Sequence, residues 1–371
     1  MRGVGCLLWL GRLAMPLLDK LNIVHAFFFI VTTSMGREGQ KCNTYMNIIE
    51  FIKLSSSKIL EERGDCDFPD YIKSVFNYYL NLIKNLDDIE LNQLLSTQFG
   101  NKKKKSFINL ISNILYKYTT IYEKAFSGEI FQALIELKKL LIVNSYTQNK
   151  LNDKYINYFN FDIKTYNDDN IFYRICDYDT KVENLIKCNH VPFEKRGEYS
   201  KCNRFSFAGY PCLYISNNLE TCNKEAGICQ ENKIRYYSEF KPKKQLILWD
   251  MTIPSLLNID KFSNHEKFRY IITYPALLLC NSKVKGISHN YFCPEYLFPQ
   301  LIFILLIMSN DDFFNNFHGI SYSSTHDISQ KNIVIPAKMV SQIYSRNYSD
   351  YLDNLFEISH AKEYENYETN F

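Results

Sequence analysis

A chain of 371 residues, 46% hydrophobic and 22% charged, is long enough for two cores and too apolar to stay disordered. Its formal net charge is +3 and its lysines and arginines are scattered, which argues against the broad basic footprint of a duplex nucleic-acid binder. The 11 cysteines run from Cys6 to Cys293 without a C-x-x-C pair, so neither a disulfide framework nor a zinc ribbon is indicated. A reducing, cytoplasmic setting with no bound metal is expected.

Residues 1–40 hold two apolar runs, Cys6 to Leu10 and Ile23 to Thr32, interrupted by Arg12, Asp19 and Lys20. No span of membrane length results, and the charged pair is wrong for a secretion signal. The segment reads as a leader or as sequence upstream of a true start at Met35, with no stable membrane association. The next part, 41–165, is helical by its period. A weak stripe covers Ile48 to Leu60. Pro69 and Asp70 open a helix with Ile72, Val75, Phe76, Tyr79, Leu80 and Ile83 on one face. Phe107, Leu110, Ile111, Ile114, Leu115 and Tyr118 repeat the pattern, as do Ile130, Leu134, Leu137 and Leu141. Lys102 to Lys105 reads as a solvated loop between helices. The expectation is an all-α N-terminal domain.

An Asn- and Asp-rich stretch from Gln148 to Asn170 ends the helical period and puts a boundary near residue 165. From 166 to 371 short apolar runs alternate with turns, so the expected class is α+β. Arg204 to Phe207 and Cys212 to Ile215 read as the strands of a hairpin across Ala208-Gly209-Tyr210-Pro211. Asn217 or Asn218 caps the following helix, whose stripe is Leu219, Cys222, Ala226 and Cys229, with Glu225 at its margin. Gln245 to Trp249, Tyr270 to Leu279, a helix-like run from Pro299 to Met308, and strands around Gly319 to Tyr322 and Ile333 to Ile335 follow.

A hairpin and the helix after it can bring an Arg, a Tyr and a Glu together. A guanidinium holds a phosphate through a bidentate fork, a phenol ring stacks on a flat base, and a carboxylate stabilises a cationic sugar as its glycosidic bond breaks. Arg204, Tyr214 and Glu225 are the candidates, and NAD offers all three targets as a substrate rather than as a prosthetic group.

The stretch His190 to Gly227, HVPFEKRGEYSKCNRFSFAGYPCLYISNNLETCNKEAG, resembles the RES-domain family of NAD-degrading toxins. That family shows an HIPFE-x-R-like opening, an R-[FY]-S segment, a G-x-P-x-L-Y-L turn and strand, and a helix with a catalytic Glu. Phe172-Tyr173-Arg174-Ile175 is similar to its first strand, and Gly319-Ile320-Ser321-Tyr322-Ser323-Ser324 to its G-I-x-Y-x-S. Tyr274-Pro275 and Cys293-Pro294-Glu295-Tyr296 through Leu301 resemble a longer subgroup, so the likeness covers roughly residues 170–360.

The resemblance implies an ADP-ribosyltransferase-like fold for 166–371 and cleavage of the nicotinamide–ribose bond by water or inorganic phosphate. It assigns Arg174 and Arg204 to phosphates, Tyr214 to the nicotinamide ribose, Glu225 to the developing cation and Ser324 to the ribose or nicotinamide amide, with Ser323 its rival. A separate antitoxin, or restraint by the helical part, is then expected. The alternatives are an ADP-ribosyltransferase acting on a macromolecule, of which the Arg-directed kind is mildly disfavoured by Asn223 two residues before Glu225, and a HEPN-like nucleic-acid-sensing helical module with an accessory RES domain. Residues 41–165 hold no Arg followed four to six residues later by His, which counts against a nuclease there.

Overall fold

The computed structural model describes residues 45–98, 104–146, 162–179, 181, 186–227, 229–230, 232–285, 292–308, 312–338 and 347–365. The leader segment 1–40 therefore lies outside the described residues. Residues Tyr45–Phe371 form one compact unit.

The first part is helical: α1 (Ile48–Leu60), α2 (Phe68–Lys84), α3 (Asp88–Gln98), α4 (Lys104–Phe126) and α5 (Ile130–Tyr146). Asn47 starts α1 by accepting from the Glu50 N–H at 2.8 Å, and Pro69 sits in the first turn of α2, where its missing N–H costs nothing. The expected stripes of α2 and α4 bury, with Leu80 and Leu110 only partly covered, while in α5 Leu137 and Leu141 bury and Ile130 and Leu134 are partly covered. Two features differ from expectation. Helix α3 had no strong period, yet Asp87 caps it through the Ile89 and Glu90 N–H groups and Leu91, Leu94 and Leu95 are buried. Lys104 and Lys105 belong to α4 rather than to a loop, because the Lys104 ammonium satisfies the Leu86 carbonyl and pairs with Asp88; Lys102 and Lys103 lie outside the described residues.

The second part alternates: β1 (Asp162–Tyr166), β2 (Phe172–Tyr178), α6 (Arg196–Tyr199), β3 (Cys212–Ser216), α7 (Leu219–Ala226), β4 (Ile234–Pro242), β5 (Leu246–Met251), α8 (Asn264–Asn281), α9 (Pro294–Met308), α10 (Asp312–Asn315), β6 (Gly319–Ser323), β7 (Lys331–Pro336), α11 (Asp350–Leu355), β8 (Phe356–Ile358) and β9 (Lys362–Glu363). This is a mixed α and β architecture. The strands make one sheet in the order β1-β5-β6-β7-β3-β2-β4-β8, with β9 also on β4. Among the strands of the described residues only β5 and β6 run parallel; the other strand pairs are antiparallel.

Alternation along the strands sorts the two faces. Leu213, Ile215, Ile333, Ile335, Leu246 and Leu248 join α11 residues in one core. Cys212, Val334, Ile320, Tyr322, Trp249 and Met251 join α8, α9 and the N-terminal helices in another. Helices α8 and α9 are buried on nearly all sides, as expected for a layer with the sheet on one side and α1–α5 on the other. Tyr79 of α2 stacks on Tyr274 of α8 with ring centroids 4.0 Å apart, and its hydroxyl donates to the Ile271 carbonyl. The helical part and the sheet thus share a core.

The expected hairpin does not form. Residues 203–206 make a turn closed by Asn203 and Ser206, and β3 pairs instead with β7 and β2. The reason is tertiary: Arg204 turns inward to reach carbonyls at the end of α8, which a strand position would not allow.

Candidate active site

Helix α7 carries the carboxylate. Asn218 is its N-cap, accepting from the Thr221 N–H at 2.8 Å, and Gly227 ends it with φ +76°, a conformation other residues rarely adopt. Arg235 of β4 fixes that end. It forms a fork with Asp177 at 2.7 and 2.8 Å and donates through Nη1 to the Asn223 side chain and to the Gly227 carbonyl. Asn223 therefore serves as an acceptor for Arg235.

Glu225 lines a cleft of about 730 Å³. The Ser324 hydroxyl donates to Glu225 Oε1 at 2.6 Å and Asn332 Nδ2 donates to the same oxygen at 2.8 Å; Oε2 makes no hydrogen bond among the described residues. Ser324 is buried and its Oγ also accepts from the His326 N–H, so it touches Glu225 from behind while Thr325 and His326 line the cleft. Its rival Ser323 is used elsewhere, accepting from the Ile253 N–H at 2.8 Å. Gly319 lets β6 lie close to β7, since a Cβ there would stand 2.3 Å from the Val334 carbonyl oxygen.

Tyr214 on β3 lines the same cleft and donates to Ser206 Oγ at 2.9 Å. Burial pushes its phenol well above the ordinary value, so it stays neutral. Tyr322, opposite Asn332 in the β6–β7 register, is raised likewise, by burial first and by the Glu225 charge second.

Arg174 occupies a seam. Strands β2 and β3 share a single pair, Tyr173 with Ser216, and beside it Arg174 donates from Nη1 to the Tyr214 carbonyl and from Nε to the Asn189 carbonyl, both at 3.0 Å. Arg204 is 8% exposed. Its Nη1 donates to the Cys280 and Ser282 carbonyls at 3.1 and 2.9 Å, and its guanidinium lies 5.4 Å from the centre of the Tyr296 ring. Among the described residues neither arginine pairs with a carboxylate. Two such cations on one cleft, with Lys201 and Lys283 also lining it beside Glu62 and Glu225 and Lys224 paired with Glu220, attract an anion.

The five residues singled out in the sequence thus converge, four on the cleft wall and Ser324 behind Glu225. Asn332 and Tyr296 complete the group. Sequence reasoning passed over Asn332, which lies 107 positions from Glu225 in a short strand with no local signal. Among the described residues no cluster of three His, Cys, Asp or Glu side chains could hold a metal, and no helix is long and apolar enough to cross a membrane.

The chain is 26% identical over 346 residues to a Bacillus subtilis (strain 168) protein named "Putative toxin YopC", an alignment covering 87% of this chain and 72% of that protein. No family model matches the chain, and no solved structure matches it.

Proposed function

We propose that this chain is a toxin that consumes NAD by cleaving its nicotinamide–ribose bond. The observation that carries the reading is the Glu225 carboxylate, held on one oxygen by Ser324 and Asn332, in a cleft with two guanidiniums that no carboxylate among the described residues neutralises. The arginines suit the pyrophosphate, which accepts planar forks from both sides. Tyr214 and Tyr322 suit the flat pyridinium and its ribose.

Nicotinamide departs as a neutral base from a pyridinium, so no acid need protonate it. Glu225 Oε2 faces the positive charge that develops on the ribose as the bond lengthens. Attack by water gives ADP-ribose, nicotinamide and a proton; attack by inorganic phosphate gives ADP-ribose 1″-phosphate and nicotinamide. The ADP-ribosyltransferase-like assignment of the sheet belongs to the same reading, supported by a carboxylate on the helix that follows β3. So does a cytoplasmic site of action, where NAD is at hand. The similarity to a protein named as a toxin agrees with a harmful activity, and harm to the producing cell calls for an antitoxin or for restraint by the helical part.

The test is purified protein with NAD, with and without phosphate, following nicotinamide release in the wild type and Glu225→Gln. Undiminished release by the variant, or none by the wild type, overturns the reading. Label from the adenylate half retained on protein would favour transfer to a macromolecule instead.

A further inference from the structure

The connection between α1 and α2, residues 61–67, reaches the cleft: Glu62 is part of its lining. Next to it Arg63 donates from Nε to Glu295 Oε1 at 2.7 Å and from Nη1 to the Cys66 carbonyl. The Glu295 side chain is 1% exposed, that of Arg63 14%. Lys285 adds its backbone N–H to the same Glu295 oxygen and its ammonium to Asp65. Glu295 lies in the first turn of α9, immediately before Tyr296, whose ring underlies Arg204. Arg204 is otherwise held at the end of α8, by the Cys280 and Ser282 carbonyls. The 61–67 connection therefore fastens the start of α9 through Glu295 and the chain three residues past Ser282 through Lys285, on the two sides from which the Arg204 guanidinium is gripped.

We propose that Arg63 is a positioning residue for the Arg204–Tyr296 pair, which makes the helical part a working component of the anion site rather than an appendage. A carboxylate buried as deeply as Glu295 needs its cation: without Arg63 it would move toward water, and the start of α9 with it. Tyr296 would leave the face of Arg204, and the guanidinium would lose the platform that fixes its plane. An anion held by a planar fork feels such a tilt directly. The consequence is weakened substrate capture with the bond-breaking group, Glu225, left in place. This inference rests on the reading of the cleft as a dinucleotide site.

The experiment uses the full chain as wild type, Arg63→Met, Arg63→Lys, the double variant Arg63→Met/Glu295→Gln, and Lys73→Ala as a control that removes an exposed ion pair between α2 and α4. Arg63→Met is expected to raise KM for NAD about tenfold with kcat within about twofold. Arg63→Lys recovers most of the loss, and Lys73→Ala matches the wild type. The double variant carries no unpaired buried charge, so it supplies a folded protein if Arg63→Met does not, and it keeps the raised KM. Unchanged KM in folded Arg63→Met or in the double variant overturns the inference, as does a fall in kcat alone.

If the wild type releases no nicotinamide, the activity reading fails and the inference is read from inorganic pyrophosphate alone. Pyrophosphate should raise the thermal midpoint of the wild type and Lys73→Ala, and not that of Arg63→Met or the double variant. An equal rise in all of them, or no rise in the wild type, overturns it.

Discussion

Ser324 Oγ donates to Glu225 Oε1 at 2.6 Å across 99 positions of chain, and Asn332 shares the same oxygen. Two donors on one oxygen turn the other toward the cleft. Removing either donor should loosen the carboxylate without removing it, so Ser324→Ala and Asn332→Ala are each expected to lower the rate of nicotinamide release about tenfold. Glu225→Gln can keep both bonds through its amide oxygen but loses the charge. Its release should fall at least about a hundredfold with the thermal midpoint unchanged. A double-mutant cycle of Ser324→Ala and Asn332→Ala tests the shared role: additive losses would show that the two act on different things.

Both arginines are predicted to serve binding and stability together. Arg204 donates to the buried Cys280 and Ser282 carbonyls at the end of α8, and Arg174 bridges the seam between β2 and β3 through the Tyr214 carbonyl. Arg204→Ala and Arg174→Ala should therefore each raise KM and lower stability by about 1–2 kcal/mol, as expected for lost bonds to buried carbonyls. With Lys201 and Lys283 on the wall beside the two arginines, kcat/KM for NAD should fall as salt rises. A salt-independent kcat/KM would show that the cleft does not work by charge.

How much of this was legible in the sequence differs by element. Asn218 is a local signal, and the structure has the cap and the helix where it points, but the stripe expected behind Glu225 is not buried: Gly227 ends the helix before Cys229, Ala226 is exposed, and Thr221 is the residue that buries. The stripes of α2 and α4 bury as their period requires. Arg204 was misplaced on a strand because its position is set by carbonyls 76 and 78 residues away, which no local pattern encodes. Asn332 and Arg63 were invisible for the same reason: their partners Glu225 and Glu295 are remote. A shared core between the helical part and the sheet could not be read either, since periodicity tells which face buries but not against what.

His190 gives a pH prediction. Its Nε2 accepts from the Ser349 N–H at 2.9 Å, so the ring proton sits on Nδ1, which faces the Val191 carbonyl at 2.7 Å. A second proton would have to displace Ser349. Burial, with the Arg174 charge as a lesser cause, pulls its pKa from 6.5 down to about 4. Because the folded value lies below the unfolded one, its contribution is complete above about pH 6.5 and is lost as pH falls toward 4. The loss is about 3 kcal/mol. His318 is shifted the same way, so the measurement is the difference between wild type and His190→Gln in unfolding free energy against pH. That difference should change between pH 6.5 and 4 and be flat above; a flat difference throughout would refute it.

Arg235 should matter to activity through Glu225 without touching the cleft. Its fork to Asp177 and its bonds to Asn223 and the Gly227 carbonyl bind the last turn of α7 to β2 and β4. Arg235→Met strands Asp177, whose side chain is 23% exposed, and leaves the Gly227 carbonyl without a donor, for a loss of about 2 kcal/mol. If that were all, removing the stranded charge would cure it. The pair Arg235→Met/Asp177→Leu is therefore the decisive variant: it should recover most of the thermal midpoint, because no unpaired charge remains, yet stay slow in nicotinamide release, because Asn223 and the Gly227 carbonyl, on either side of Glu225, have lost the donor that fixed them. Recovery of both together would mean that Arg235 serves stability alone.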